Sequence, residues 1–543
     1  MRIINDFWFD EFDREKFCVD LGDPATEAVR KMKALGTRAL VVLGKDGRYL
    51  GVIGYSRIGN SDSPINDSLI ERGVWCLETS SVIPSSMDFV PILSAEFEVV
   101  GCKYRPVDLG REGIPESVTI IGAGYVGFTL GLGLAAKGVT VNFVDNDPER
   151  IKLFSEGRVP FFERGLQEVF DNLKSKLDFF NDLKKPHHRS PYVIVTVGTP
   201  LTKGKQPNLE YFETAVKAAI EFIDDRGLIC FRSTVPVGHT SMVVNKYLSD
   251  INEKHLSVAF CPERTVEGDA INELSKNPQF IGVRDPLALR MAFSLFSAIS
   301  EEAVVYTNYE LAELSKLADN VSRDIYFGVS NFFARVSREL GLSGSHFIKH
   351  LNHNYARNHL ARPSVGVGGP CLSKDYYLLR SSINSAIDGV EHLELGREQN
   401  RSSQAAMIAS ICELRDSGFA ELVICVGMAF KGKPETSDIR DSIGVEIFEM
   451  LAKKINQCVV WFDPSVYEED LSKSLSDRRL TELPKSISSN IVFVVLNDHD
   501  RWSSIDFGAC VDETHYCHIL DGFYSNSLES QRIHDRRVIY KPW

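Results

Sequence analysis

Ile120-Ile121-Gly122-Ala123-Gly124-Tyr125-Val126-Gly127 is the stretch on which the fold turns. An apolar run, Val118 to Ile121, leads into it, and a helical pattern leads out. The first glycine permits a tight turn, the second lets backbone approach a pyrophosphate, and the third lets helix and strand pack closely. The helix N-terminus favours the phosphate charge. The next apolar run, Val141 to Val144, ends in Asp145, eighteen residues after Gly127. A carboxylate at that place binds adenosine ribose hydroxyls and disfavours a 2′-phosphate, so the pattern predicts NAD rather than NADP.

The alternation continues outward. Tyr192 to Val197, Leu228 to Phe231 and Val258 to Phe260 are short apolar runs separated by helical stretches, which predicts a parallel sheet with helices on both faces. From about Tyr309 to Leu340, and again from Gln399 to Leu414, the pattern is helical. A second set of apolar runs follows at Leu422 to Val426, Val459 to Phe462, Ile491 to Leu496 and Ile519 to Leu520. The expected fold class is α/β: two doubly wound, Rossmann-like domains (116–306 and 417–543) joined by a central helical domain (307–416). A small α+β unit (1–115) precedes them, with residues 105–116 as linker.

The 543 residues are 43% hydrophobic and 25% charged, which excludes a disulfide scaffold, a collagen and a disordered chain. A net charge of −13 repels nucleic acid and anionic lipid, so neither is expected as a partner, and an anionic substrate needs a local basic pocket. The eleven Cys are dispersed without a Cys-x-x-Cys pair, so no metal site is expected and the thiols suit a reducing compartment. Met1 to Asp20 has no signal-peptide apolar core, and no apolar stretch approaches the roughly 18 residues of a membrane span. The expected location is cytoplasmic.

Ligands of open α/β sheets bind beyond the carboxyl ends of the strands. Here those ends read Gly198-Thr199-Pro200, Arg232-Ser233-Thr234-Val235-Pro236-Val237-Gly238 and Cys261-Pro262-Glu263. Pro363-Ser364-Val365-Gly366-Val367-Gly368-Gly369-Pro370-Cys371-Leu372-Ser373-Lys374-Asp375 is a glycine loop ending in a Cys beside a predicted helix start. A helix N-terminus stabilises a thiolate, which makes Cys371 a candidate nucleophile, and Asp375 lies one turn on, on the same face. Lys316 and Asn320 stand at i, i+4 on the first central helix and project together. These segments resemble the UDP-glucose/GDP-mannose dehydrogenase family from about residue 117 to 520. Cys261-Pro262-Glu263-Arg264-Thr265-Val266-Glu267-Gly268 is similar to members acting on UDP-N-acetylhexosamines, whereas UDP-glucose enzymes usually begin that string Asn-Pro-Glu-Phe. The Lys374-Asp375 pair departs from the Val-Asp of many N-acetylhexosamine members.

The resemblance implies oxidation of the C6 hydroxyl of a UDP-sugar to the uronate with two NAD, for polysaccharide synthesis. UDP-N-acetylglucosamine or UDP-N-acetylmannosamine is expected, with UDP-glucose as the alternative. Cys371 would hold the half-oxidised sugar as a thiohemiacetal and then a thioester. Lys316 and Asn320 would stabilise charge on the C6 oxygen. Asp375 and Thr199 would position a water, and Glu263 would act as base in hydrolysis. The first proton acceptor stays open among Lys316, Asp375 and water. NAD contacts are implied for Gly122, Gly124, Tyr125, Val126, Gly127, Asp145, Thr199, Thr234, Glu267 and Lys431. Sugar-nucleotide contacts are implied for Glu263, Arg264, Lys316, Asn320, Gly366, Gly368, Gly369, Phe430, Lys431 and Arg440, with Arg357 reaching a neighbouring subunit of a homodimer or larger homo-oligomer. Asp463 and Asn497 to His499 end strands of the second sheet, and His499 is expected to be structural. The competing classes are a catalytically silent nucleotide-sugar sensor and a two-electron hydroxyacid dehydrogenase, which needs no thiol.

In the first 115 residues a helix begins at Asp23-Pro24, carries Ala28, Val29, Met32 and Leu35, and ends at Gly36. Strands Ala39 to Leu43 and Leu50 to Ile53 flank a Lys45-Asp46-Gly47 turn. The order resembles a cystathionine-β-synthase (CBS) motif, with a truncated second copy at Phe89 to Leu93 and Val99 to Cys102. That motif binds adenine nucleotides, but Gly54-Tyr55-Ser56-Arg57 lacks its Thr-x-x-Asp and Lys103-Tyr104-Arg105 lacks its acid. A role in oligomer contacts or as a degenerate cap is expected over an adenine-nucleotide site.

Overall fold

The computed structural model describes residues 1–3, 9–11, 14–35, 37–58, 63–72, 76–77, 89–94, 99–104, 113–183, 190–248, 255–355, 357, 359–383, 387–455, 458–468, 471–523, 528 and 535–542. Gly36, Arg105 and most of the expected linker lie outside them.

Twenty-two strands form four sheets among the described residues. The chain opens with β1 (Arg2–Ile3) and β2 (Phe9–Glu11), then β3 (Cys18–Asp20), β4 (Ala39–Leu43), β5 (Tyr49–Gly54) and β6 (Ile70–Glu71). There follow β7 (Cys76–Leu77), β8 (Phe89–Leu93) and β9 (Val99–Tyr104). Two small sheets result, ordered β3-β4-β5-β6 and β7-β8-β9-β2. They share one design. In each the first pair is parallel and the other two antiparallel. Ala39↔Gly54 and Val42↔Gly51 in the first hairpin recur fifty residues later as Phe89↔Tyr104 and Ile92↔Gly101, with the same register shift one step on. The two sheets therefore match strand for strand, and the stretch before Phe89, where the second copy is expected to lack its helix, lies outside the described residues. The fourth strand of the second sheet, β2, comes from some ninety residues upstream, where no local pattern announces it. Nor does residues 1–115 stay apart as one unit: β1 pairs in parallel with Glu302 and Ala303 of the next sheet.

That sheet holds nine strands, β1-β17-β16-β15-β14-β13-β10-β11-β12. The strands are β10 (Ser117–Ile121), β11 (Thr140–Val144), β12 (Leu177–Phe180), β13 (Tyr192–Val195), β14 (Leu228–Phe231), β15 (Ser257–Phe260), β16 (Gln279–Val283) and β17 (Glu302–Tyr306). Every pairing is parallel except β15 with β16. Helices cover both faces, so β13 to β15 are buried throughout, which is why they read as unbroken apolar runs. The cofactor helix Tyr125–Ala135 lies so close to the sheet that a Cβ on Gly131 would meet the Phe143 ring at 2.2 Å. Phe128 stacks on Phe154 at 4.4 Å and packs edge-on against Phe170.

The central helix Tyr309–Glu339 runs for 31 residues and crosses the helix Glu391–Asp416 at two facing glycines, Gly328 and Gly396. Between them the chain forms the glycine loop 363–371 and the helix Leu372–Ser382. The last sheet, β19-β18-β20-β21-β22, is parallel throughout: β18 (Leu422–Val426), β19 (Val459–Phe462), β20 (Ile491–Val495), β21 (Cys517–Asp521) and β22 (Val538–Pro542).

Candidate active site

At the cofactor turn each glycine has its own constraint. Gly122 adopts φ +104°, which a side chain rarely tolerates. A Cβ on Gly127 would stand 2.0 Å from the Gly122 carbonyl oxygen, whereas one on Gly124 would meet nothing within 4 Å. The middle glycine therefore faces open space at the helix N-terminus, as a pyrophosphate site requires, and the residues fit NAD. Asp145 accepts from the Ala123 amide at 2.7 Å and the Asp147 amide at 2.9 Å, and pairs with Arg150 at 2.9 Å. The carboxylate thus ties the turn to the next strand. Arg150 was absent from the sequence reading, although an arginine five residues after the strand-end acid was there to be seen. The Tyr125 hydroxyl donates to Glu163 and accepts from the Gly268 amide at 2.7 Å, joining the cofactor turn to the 261–268 loop.

Cys371 caps the helix Leu372–Ser382 and is open to solvent, yet protein crowds it from several sides. Desolvation, then the charge of Asp375, pushes its thiol above the ordinary value, while Lys316 and Lys374 pull it down. Asp375 is 1% exposed, and its Oδ2 accepts from Asn320 Nδ2 at 2.5 Å. Its Oδ1 has no hydrogen-bond partner and lies 3.8 Å from Lys374 Nζ. Lys374 also donates to Thr199 Oγ1 at 3.0 Å, and Thr199 donates to the Thr234 carbonyl at 2.6 Å. The ends of β13 and β14 thus meet the Cys371 helix through the lysine that stands where many N-acetylhexosamine members have Val.

Two glutamates four residues apart have opposite surroundings. Glu263 is buried, and its Oε2 takes Arg232 Nε at 3.0 Å and Nη2 at 2.8 Å. Its Oε1 takes the amides of Arg264 and Thr265, both at 2.7 Å. Although burial pushes the carboxyl up, Arg232 and these amides hold it below the ordinary value, as an ion. Glu267 accepts from Thr436 Oγ1 at 2.6 Å, and its carbonyl takes Lys431 Nζ. Burial, then the charge of Asp438, pushes its carboxyl up to about 7.

Models of the UDP-glucose/GDP-mannose dehydrogenase family match in three pieces: NAD binding domain at 116–300, central domain at 310–402 and UDP binding domain at 424–526. The chain belongs to this family. It is an NAD-dependent nucleotide-sugar dehydrogenase. A UDP-N-acetyl-D-mannosamine dehydrogenase of Methanococcus maripaludis is 30% identical over 397 residues, covering 72% of this chain and 88% of that one. An NDP-N-acetyl-D-galactosaminuronic acid dehydrogenase of Ralstonia solanacearum is 24% identical over 72% of this chain and 92% of its own. The solved UDP-D-ManNAc dehydrogenase of Pyrococcus horikoshii aligns with TM-score 0.65 at 26% identity, covering 75% of this chain and 95% of that one.

Within this dehydrogenase, the charges around Cys371 come from four elements: Lys316 of the central helix, Lys374 and Asp375 of its own helix, Glu267 of the 261–268 loop, and Lys431 and Arg440 of the UDP domain. Other expected contacts are otherwise occupied. Arg440 is bidentate on Asp438, Nε to Oδ1 at 3.0 Å and Nη2 to Oδ2 at 2.6 Å. Arg264 pairs with Asp319 at 3.1 Å and lies 3.8 Å over the Phe280 ring. Gly369 donates to the Asp441 carbonyl at 2.8 Å, and a Cβ there would meet the Phe430 ring at 2.6 Å, while one on Gly368 would meet Asp441 O at 2.6 Å. These glycines pack the loop onto the UDP domain. Arg357 is exposed. His499 pairs with Glu435 at 3.2 Å, and no helix among the described residues is long and apolar enough to cross a membrane.

Proposed function

We propose that the enzyme oxidises C6 of a UDP-N-acetylhexosamine to the uronate through a covalent sulfur intermediate on Cys371. The convergence of Lys316, Lys374, Asp375 and Glu267 on one accessible thiol carries the reading. The string from Cys261 to Gly268, together with relatives named for N-acetylated sugars, supports the N-acetylhexosamine class, with UDP-N-acetylmannosamine ahead of UDP-N-acetylglucosamine.

NAD, held by the turn at Gly122 to Gly127 and by Asp145, supplies the hydride acceptor for each of two oxidations. Lys316 and Asn320 steady negative charge on the C6 oxygen as the hydroxyl proton leaves. The Cys371 sulfur then adds to the aldehyde carbon as a thiolate, which Lys316 and Lys374 favour, and keeps a reactive aldehyde from escaping. Removal of a second hydride turns this thiohemiacetal into a thioester. A water on the unpartnered Asp375 Oδ1 attacks the thioester carbon, the C–S bond breaks, and the thiol is restored. We assign the base for that water to Glu267 rather than Glu263. A carboxyl near 7 takes a proton readily at neutral pH, whereas one held ionised by Arg232 does not. Overall, one alcohol, two NAD and one water give one carboxylate, two NADH and three protons.

The outer face of the central helix exposes Tyr326, Val329, Phe333, Val336 and Leu340, an apolar stripe at alternating three- and four-residue steps. A second copy of the chain across this stripe makes a homodimer. Light scattering on the purified protein tests it, and a monomer refutes it. The activity is tested by supplying NAD with UDP-N-acetylmannosamine, UDP-N-acetylglucosamine and UDP-glucose in turn. Two NADH per N-acetylated sugar supports the reading. Turnover of UDP-glucose alone overturns the sugar class, and binding without NADH favours the silent sensor.

A further inference from the structure

The inward face of the central helix carries a row of polar residues, Glu313, Asn320, Asp324 and Asn331, each no more than 2% exposed. Two have evident work. Glu313 takes the amides of Gly238 and Thr240 at the start of the helix His239–Tyr247, and Asn320 holds Asp375. Asp324 and Asn331 lie one and three turns further on, and the chemistry above uses neither. They are linked instead to one another and to the glycine loop. Asp324 Oδ1 accepts from Arg397 at 2.9 Å and from Asn400 Nδ2 at 3.0 Å. Asn400 Oδ1 accepts from Asn331 Nδ2 at 2.9 Å. Asn331 Oδ1 accepts the backbone N–H of Ser364 at 2.7 Å.

The order of these bonds has a direction, and a carboxylate sets it. Burial pushes the Asp324 carboxyl up, but Arg397 at 2.9 Å favours its charged form, and a carboxylate can only accept. Asn400 must therefore turn its amide nitrogen toward Asp324, which leaves its oxygen for Asn331. Asn331 must then turn its nitrogen to Asn400, which leaves its oxygen for Ser364. A free amide could stand either way round; here each is fixed by the one before it. Ser364 passes the hold along, because its hydroxyl donates to the Gly366 carbonyl at 2.8 Å. Gly366, at φ +141°, leaves only 3.0 Å between a hypothetical Cβ and the Asn400 carbonyl. A loop with glycines at 366, 368 and 369 has little stiffness of its own, so its anchors decide where it lies.

We propose that Asp324, Asn400 and Asn331 are positioning residues that orient the start of the glycine loop and so fix where the Cys371 sulfur stands. The inference rests on the reading of Cys371 as the covalent group. The far end of the loop is held separately by Asp441 of the UDP domain. The thiol therefore sits between an anchor on the helix pair and an anchor on the sugar-nucleotide domain. Misplacing reacting atoms by an ångström costs about a hundredfold in rate.

The test uses the full-length enzyme with Asp324→Asn, which keeps the shape and removes the direction, Asn331→Leu, which removes the acceptor, and Ser364→Ala. Turnover, KM for NAD and the pH dependence of Cys371 alkylation by iodoacetamide are compared. The expected result is a fall in kcat of about ten- to a hundredfold and a changed alkylation rate, with KM for NAD within about twofold. Because the residues act in series, Asp324→Asn with Asn331→Leu should be no worse than Asn331→Leu alone. Wild-type turnover and alkylation in the folded variants overturn the proposal, as does a loss that resides in NAD binding. If Asn331→Leu fails to fold, Asp324→Asn and Ser364→Ala decide. Should Cys371→Ser retain two-NADH turnover, the covalent reading fails. Should it be inactive while Asp324→Asn and Ser364→Ala match wild type, the relay alone fails.

Discussion

Replacing Glu267 by Gln probes the chemistry most directly. Burial and Asp438 move this carboxyl from 4.5 to about 7. Between those values the folded enzyme holds a proton that the unfolded chain has released, so stability falls as pH rises across the window. The whole displacement corresponds to at most about 3 kcal/mol. Glu267→Gln keeps the shape and removes the titration, so its unfolding temperature should lose this slope between pH 5 and 7.5. Catalysis runs the other way, because only the ionised carboxylate takes a proton from water. Thioester hydrolysis should rise with pH to a plateau above about 7 and fall about tenfold per unit below it. In the Gln variant the limb disappears and hydrolysis drops by about a hundred- to ten-thousandfold. Rapid mixing would then show a burst of two NADH per site followed by near arrest, with an acyl adduct on Cys371 by mass spectrometry. An unchanged limb in Glu267→Gln, or its loss in Glu263→Gln instead, refutes the assignment.

Three other changes have sharp outcomes. Cys371→Ser should reduce four-electron turnover to background while NAD binding by calorimetry stays unchanged. Gly127→Ala puts a methyl 2.0 Å from the Gly122 carbonyl, a backbone atom that cannot swing aside, and should cost about 1–3 kcal/mol in thermal unfolding together with a weaker NAD Kd. Asp145→Ala strips the Ala123 amide and Arg150 of their acceptor and should raise KM for NAD by about ten- to a hundredfold, at about 1.5–3 kcal/mol for a charged hydrogen bond. Because Arg150 loses its nearer carboxylate and keeps only Asp147 at 3.4 Å, kcat/KM for NADP should fall less than that for NAD; an equal loss for both coenzymes would contradict the role given to the acid.

What could be read beforehand was what local pattern encodes. The glycine turn, Asp145 and the buried strands announce themselves because a strand interior demands apolar runs and a phosphate turn demands glycine. The polar groups of the site were nameable one by one, but not their states. Glu263 and Glu267 look alike in sequence, and what separates them is Arg232, thirty-one residues back, and Asp438, far ahead on another domain. Arg440 and Arg264 are implied as sugar-nucleotide contacts by resemblance, but the carboxylates that engage them, Asp438 and Asp319, are chosen by packing rather than by pattern. Strand β2 was invisible for the same reason, since three residues acquire a meaning only from a distant partner.

The opening segment also has a schedule. Arg2 and Ile3 leave the ribosome about three hundred residues before Glu302 and Ala303, and Phe9 to Glu11 about ninety before Cys102 to Tyr104. Neither short strand has a mate when it is made. β1 must wait unpaired until Ala303 is made and β2 only until Tyr104 is made, and an unpaired strand invites pairing with a stranger. Slowing synthesis after residue 115 should therefore lengthen the wait of β1 and leave that of β2 unchanged, whereas supplying residues 1–11 late, as a separate peptide, offers a way to see whether the two edges can still be filled.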